Sequence, residues 1–246
     1  MGRRGAFIIS RTIAKMLNID KLIKRRLLLW RGAKCNLCGY PIITVNKTVF
    51  GKRCIKCRSS FIHRAMGLVI NNFNFNEKIC VYELSTRGAL FNFLKYKYAN
   101  ISCSEYYDDV NPGQYKNGIQ CQDVQQLTYE DNIYDLITCT EVFEHVCDDI
   151  KGFRECYRVL KTGGYFIFSV PLANMPLTID RGLMNLPPEY HSDRIRGERK
   201  VFVYRNYGLD IKQKLEAVGF SVDIKNIESK KHAIPNQKII VCKKEA

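Results

Sequence analysis

Four cysteines fall in two pairs, Cys35-Asn-Leu-Cys38 and Cys54-Ile-Lys-Cys57, with fifteen residues between the pairs. A two-residue gap lets both thiolates of a pair reach one ion from a tight knuckle, and C-x2-C-x15-C-x2-C is zinc-ribbon spacing. Lys34, Lys52, Arg53, Lys56 and Arg58 crowd the pairs and favour the thiolate form. Four ligands close a tetrahedral sphere, so the expected Zn2+ is structural. The competing reading is two disulfides or four free core thiols. A second set of residues suits proton transfer. Glu144-His145 and the distant His191, which lies beside Glu189, Tyr190 and Asp193, offer imidazoles that titrate near neutrality. The plainer alternative for Glu144-His145 is a helix-start carboxylate and a packed histidine. A third set, Glu83, Glu105 and Asp123, consists of acids that each follow a short apolar run.

Those runs define the elements that must position the acids. Residues 78–84, 100–104, 118–122, 133–139, 164–170, 220–227 and 238–242 read as strands, and 88–98, 149–160 and 210–218 as helices. Strands alternating with helices across short connections predict an α/β fold, a doubly wound, mostly parallel sheet. Ligands of such sheets bind over the carboxyl ends of the strands. Acids at successive strand ends therefore point to an adenosine-containing cofactor, gripped through its ribose hydroxyls and adenine amino group. Ahead of the sheet, residues 42–45 and 48–50 predict a hairpin around Asn46-Lys47, and residues 10–31 one or two basic amphipathic helices. The expected division is a basic helical segment at 1–32, a zinc ribbon at 33–60, a connecting helix or linker at 61–76 and the α/β domain at 77–246.

Within that domain, Asp135-Leu-Ile-Thr-Cys-Thr-Glu-Val-Phe-Glu-His-Val146 is followed by Asp148-Asp149 and by Phe153-Arg-Glu-Cys-Tyr-Arg-Val-Leu-Lys-Thr-Gly-Gly164. This stretch closely resembles the type-11 branch of the class I S-adenosylmethionine-dependent methyltransferases. The resemblance implies a seven-stranded sheet with an antiparallel last strand and methyl transfer from S-adenosylmethionine. It carries Glu83 to the methionine moiety, Glu105 to the ribose, and Asp123 with Val124 to the adenine. Thr140 and Glu141 would line the cofactor and acceptor pocket. The family's glycine-rich loop stands here as Glu83-Leu84-Ser85-Thr86-Arg87-Gly88-Ala89, with Ser85, Arg87 and Ala89 at the usual glycine positions. Ser85, Arg87 and Gly88 are then the loop's cofactor contacts, and Arg87 is expected to fork onto the methionine carboxylate. The long insertion Leu172–Val203 is expected to form the substrate loop. Its His191 is the preferred general base, with His145 and Glu144 as the further catalytic candidates.

Composition bounds the rest. A hydrophobic fraction of 46% and a charged fraction of 26% are ordinary for a globular chain. No apolar run is long enough for a membrane span or a signal core, so a soluble, cytoplasmic protein is expected. Residues 1–72 hold sixteen Lys/Arg against a single acid, Asp20, and account for the whole net charge of +15. Such a basic portion suits an anionic acceptor, RNA, or peripheral contact with an anionic membrane. The reading leans toward O- or N-methylation of a small or glycan-type metabolite, with RNA methylation second. A silent ribbon-bearing binding protein is the rival from another class. A nicotinamide-dependent dehydrogenase would require G-x-G-x-x-G after the first strand, which is absent.

Overall fold

The computed structural model describes residues 32–193 and 199–245. The basic amphipathic helix expected over residues 10–31 lies outside the described residues. The chain opens with β1 (Ile42–Thr44) and β2 (Lys52–Cys54), then α1 (Phe61–Asn72), β3 (Cys80–Glu83), α2 (Gly88–Lys97) and β4 (Asn100–Cys103). Short arms β5 (Tyr115–Lys116) and β6 (Ile119–Gln120) precede β7 (Tyr134–Thr140), α3 (Asp149–Val159) and β8 (Leu160–Ser169). The insertion holds β9 (Ile179–Asp180), β10 (Tyr190–Asp193) and β11 (Arg199–Phe202), and β12 (Arg205–Asn206) follows it. The described residues close on α4 (Ile211–Val218), β13 (Phe220–Ser229) and β14 (Ile234–Lys244).

Alternation of side chains drives the central sheet. In β7 and β8, Leu136 and Ile167 face one side while Ile137, Phe166 and Phe168 face the other, and all are buried. Strands buried on both faces need helices on both faces. Helices α1 and α2 cover one side through Met66, Val69, Ile70, Leu90 and Leu94, and α3 and α4 cover the other through Phe153, Cys156, Ile211 and Leu215. The strand order is β13-β14-β8-β7-β3-β4, with β4, β3, β7 and β8 parallel and β14 antiparallel to both its neighbours. This is the doubly wound, Rossmann-like sheet that the alternating runs predict.

The observed sheet has six strands where seven were expected. Residues 118–122 reach its β4 edge only as a parallel bridge between Glu105 and Cys121. Their upstream residues turn back instead at Asn117 and Gly118, both at positive φ, and spend their hydrogen bonds on the β5–β6 hairpin. The ribbon hairpin also differs from expectation. Its second arm is β2, not residues 48–50, because Val49–Gly51 form a 3-10 turn. That register sets Ile42 opposite Cys54 and returns the second cysteine pair to the first.

The segment expected to connect the ribbon to the sheet packs into the core. Apolar residues at 61, 62, 65, 66, 69 and 70 form one face of α1, which is buried against the sheet. Ser60 caps the helix: its hydroxyl accepts from the His63 amide, and His63 Nδ1 accepts from the Ser60 amide at 3.2 Å. Burial keeps His63 neutral, with its pKa lowered to about 4. One turn on, the fully buried Arg64 donates to the carbonyls of Ser59 and Lys52 in the ribbon and of His232 and Ala233 in the β13–β14 turn. This guanidinium fastens three parts of the chain together. Arg64→Ala leaves four carbonyls short of a donor and is expected to lower stability by roughly 2–4 kcal/mol in urea unfolding.

Candidate active site

Parallel strands β3, β4 and β7 end on the same edge of the sheet, and a crevice of about 730 Å³ opens there. Glu105, Asp123, Val124, Glu141, His145 and His191 all line it. Glu105 follows β4, and its Oε1 accepts from the Thr86 amide at 3.1 Å and the Thr86 hydroxyl at 2.9 Å. Arg87 Nε lies 3.4 Å from the same oxygen. Arg87, expected on a cofactor carboxylate, thus pairs with Glu105, which sits at the neighbouring strand end. Ser85 also reaches Glu105, at 3.5 Å, so the loop that lacks glycine at its usual positions is fastened to an acid instead. Gly88 keeps the one left-handed position, φ +95°, where α2 begins. Asp123 closes an Asx turn, accepting from the Gln125 amide at 2.9 Å.

Glu83 was expected to share this crevice with Glu105 and Asp123, and it does not line it. Its carboxyl turns into the sheet and accepts from the Thr138 hydroxyl on β7. The reason is register, since Glu83 and Thr138 are partners across β3 and β7. Burial raises the Glu83 pKa to about 8, opposed by the Thr138 donor and assisted by the charge of Glu105. Ser85, Arg87, Gly88, Thr140 and Glu144 are likewise not among the residues that line it.

After β7 the chain turns sharply. Glu141 adopts a left-handed φ of +54°, and a 3-10 turn, Phe143–His145, follows. The Phe143 ring stacks on Phe153 at 4.5 Å and anchors the turn to α3. Gly152 makes this possible: a Cβ there would lie 2.9 Å from the Phe143 ring. Glu141 accepts from Ser169 at 2.9 Å, and burial lifts its pKa to about 7 despite that bond. Glu144 is buried with both carboxylate oxygens unpartnered, and burial, then the charge of Glu141, push its pKa well upward. His145 Nδ1 donates to the Phe202 carbonyl at 2.7 Å, which leaves its Nε2 as the lone-pair nitrogen. Burial lowers its pKa, so the ring is neutral near pH 7.

His191 comes from far along the chain. Strands β10 and β11 form a hairpin that places His191 Nδ1 3.2 Å from His145 Nε2, with the rings edge to face. Sequence reading did not find the residues that hold this hairpin in place. Buried Arg205 donates to the carbonyls of Val146 and Cys147, and the Tyr207 hydroxyl donates to Asp149 at 2.9 Å. The only signal for Arg205 in the sequence is a charged residue within an otherwise apolar stretch. His191 Nε2 also lies 3.7 Å from Glu189 Oε1.

Away from the crevice, Cys35, Cys38, Cys54 and Cys57 converge, every pair of sulfurs within 4.8 Å and none in a disulfide. The Sγ atoms of Cys35 and Cys57 are 3.6 Å apart, and those of Cys38 and Cys54 are 3.4 Å apart. Four thiolates about 2.3 Å from one tetrahedral ion would stand about 3.8 Å from each other. The donor set and its spacing therefore fit a closed tetrahedral ion.

Comparison with known proteins agrees with this geometry. Residues 86–168 match the family described as "Methyltransferase domain". The ubiquinone biosynthesis O-methyltransferase of Coxiella burnetii is 42% identical over 50 residues, which is 20% of this chain and 21% of that protein. The Pseudomonas savastanoi pv. phaseolicola protein of the same name is 39% identical over 62 residues, 23% of this chain and 26% of its own length. This chain thus spans about a fifth to a quarter of these relatives. Among solved structures, the Burkholderia thailandensis 1,6-didemethyltoxoflavin-N1-methyltransferase, bound to S-adenosylhomocysteine, superposes with a TM-score of 0.50 at 14% identity. That match covers 76% of this chain and 79% of the other. A chain from the complex of the Haloferax volcanii Trm112 methyltransferase activator with a methyltransferase gives a TM-score of 0.50 at 13% identity, covering 75% and 90%. The fold is that of the class I methyltransferases.

Glu83 supplies a pH test. Its folded pKa lies above the free carboxyl value of 4.5, so folding takes up a proton between there and about pH 8. Its contribution to stability is full below pH 4.5 and declines as the pH rises through that window. In urea titrations at a series of pH values, Glu83→Gln is expected to remove this decline and to exceed the parent in stability most above pH 8.

Proposed function

We propose that this chain, which carries a methyltransferase domain of the class I fold, methylates a hydroxyl oxygen of a small acceptor with S-adenosylmethionine as donor. The observation that supports it is one crevice shared by Glu105, Asp123 and Glu141 that runs to the facing imidazoles of His145 and His191. When bound, the cofactor supplies an electrophilic methyl group on a sulfonium. Glu105 is assigned to the ribose hydroxyls, Asp123 with Val124 to the adenine, and Ser85, Arg87 and Gly88 to the loop beneath. Glu83 and Thr140 support that loop and the turn from behind. A crevice of this volume holds one cofactor and a compact acceptor, or the end of a larger one.

The acceptor's proton is assigned to His191. If His191 Nδ1–H donates to the lone pair of His145 Nε2, its own Nε2 keeps a lone pair, and Glu189 stands near enough to offset the charge gained. His145, fixed by the Phe202 carbonyl, holds that tautomer. Hydrophobic walls from Leu84, Val124 and Val142 exclude water from the reacting groups.

A larger anionic acceptor, with RNA as the example, is the second reading. One observation favours it: the ribbon carries Lys34, Lys47, Lys52, Arg53, Lys56 and Arg58 without one acid, and exposes Tyr40 and Phe50, with Lys56 over the Tyr40 ring at 4.4 Å. We assign structural Zn2+ to the four cysteines. It would join the ribbon's two knuckles, and the buried Arg64 beside them offsets the negative charge of four thiolates.

Calorimetry is expected to show saturable S-adenosylmethionine binding that weakens at least about tenfold in Glu105→Ala. His191→Ala is expected to keep that affinity and lose about 10²–10⁴-fold in turnover once an acceptor is supplied. Absence of cofactor binding in the parent protein would leave the silent binding module as the better reading. For the ribbon metal, Cys54→Ser is expected to lower the zinc content by one per chain on elemental analysis.

A further inference from the structure

We infer that Glu144, His145 and His191 form a second metal site, for a divalent first-row cation bound at the acceptor end of the crevice. Three side chains from two separated segments converge there. Glu144 Oε1 lies 3.7 Å from His145 Nε2, which lies 3.2 Å from His191 Nδ1, and the three donor atoms all fall within 4.8 Å of one another. Donors about 2.1 Å from one ion stand about 3.0 Å apart at an octahedral right angle and about 3.4 Å apart in a tetrahedron. The 3.2 Å between the two imidazoles lies between these values, and the 3.7 Å from Glu144 to His145 is a few tenths of an ångström above the tetrahedral one.

Two further observations point to a cation rather than to chance packing. Glu144 is 1% exposed, and neither of its carboxylate oxygens has a hydrogen-bond partner. A buried carboxyl is ordinarily satisfied by donors, and an orphan one aimed at two imidazoles is a ligand waiting for charge. Behind His145, moreover, stands an acceptor that orients it, and a carboxylate lies on the outer side of His191. His145 donates from Nδ1 to the Phe202 carbonyl, and His191 Nε2 faces the Glu189 carboxylate at 3.7 Å. Metal-ligating histidines are held in this way, the outer N–H on an oxygen and the inner lone pair on the ion. The donor set of two imidazoles and one carboxylate suits Mn2+, Fe2+, Co2+ or Zn2+, and neither the all-oxygen shell of Ca2+ nor the all-thiolate ribbon.

Three protein ligands leave coordination positions open, and His145 and His191 both line the crevice. An oxygen donor of the acceptor would complete the shell, which selects acceptors bearing a hydroxyl or an adjacent oxygen pair. That use of the site rests on the methyl-transfer reading; the binding of the cation does not. With a cation bound, His145 and His191 would serve as ligands in place of the base role assigned to His191 above; the ion would supply the acidity of the coordinated hydroxyl, whose proton would pass to solvent.

Mn2+ separates this site from the ribbon, because it favours nitrogen and oxygen over thiolate donors. In the full chain carrying one equivalent of zinc, which the four thiolates take first, electron paramagnetic titration with MnCl2 is expected to show one Mn2+ bound per chain, with nitrogen couplings from two imidazoles. His191→Ala should leave one imidazole coupling, and Glu144→Gln should weaken Mn2+ at least tenfold, both with unchanged S-adenosylmethionine affinity. No saturable Mn2+ binding to the parent chain, or binding without imidazole coupling, overturns the inference even if the variants do not fold. Cofactor binding without Mn2+ binding would sink the metal site alone, and Mn2+ binding without cofactor binding would sink the methyl-transfer reading alone.

Discussion

Strands β7 and β8 pack on both faces, and neither can slip by one residue without exchanging Leu136 for Ile137 and Ile167 for Phe168 between two differently shaped cores. That constraint fixes where β7 ends, and therefore where Glu141, Glu144 and His145 fall relative to the neighbouring strand ends. The stacked rings of Phe143 and Phe153 convert the end of the strand into a rigid turn. Glu141 in a left-handed conformation and Glu144 without a donor are both unfavourable on their own. They persist because the surrounding aromatic core determines the backbone around them.

The other half of the site depends on a long insertion returning to this turn. Arg205 and Tyr207 bind the backbone of residues 143–147 and the carboxylate of Asp149, so the segment after β11 is fastened to the start of α3. The β10–β11 hairpin is then carried over the crevice mouth, and His191 meets His145. A charged residue that looks misplaced in sequence is here the clamp that completes the site.

The ribbon is joined to the same body by a different device. Arg64 satisfies carbonyls of the ribbon and of the β13–β14 turn from within the core, and Lys34 donates from its amide to Lys231 in that turn. Because β14 runs antiparallel to β8, this turn projects from the edge of the sheet where the parallel strands end. The basic ribbon therefore stands at the crevice end of the molecule.

The sequence alone determined whatever depends on local spacing. Two knuckles of paired cysteines and strands of period two are each written in consecutive residues, because near neighbours in the chain set the relevant dihedrals and faces. The alternation of elements likewise carried the doubly wound, mostly parallel sheet, and the resemblance its antiparallel last strand. Tertiary structure decided the rest. Whether Glu83 faced solvent or Thr138 depended on the registry of β3 on β7, and the reach of residues 118–122 along the sheet depended on a competing hairpin. Arg87 found Glu105 on another strand end, and His191 found His145 across an insertion of unspecified path. These are contacts between residues far apart in sequence, fixed by the packing of a shared core, and no local pattern encodes them.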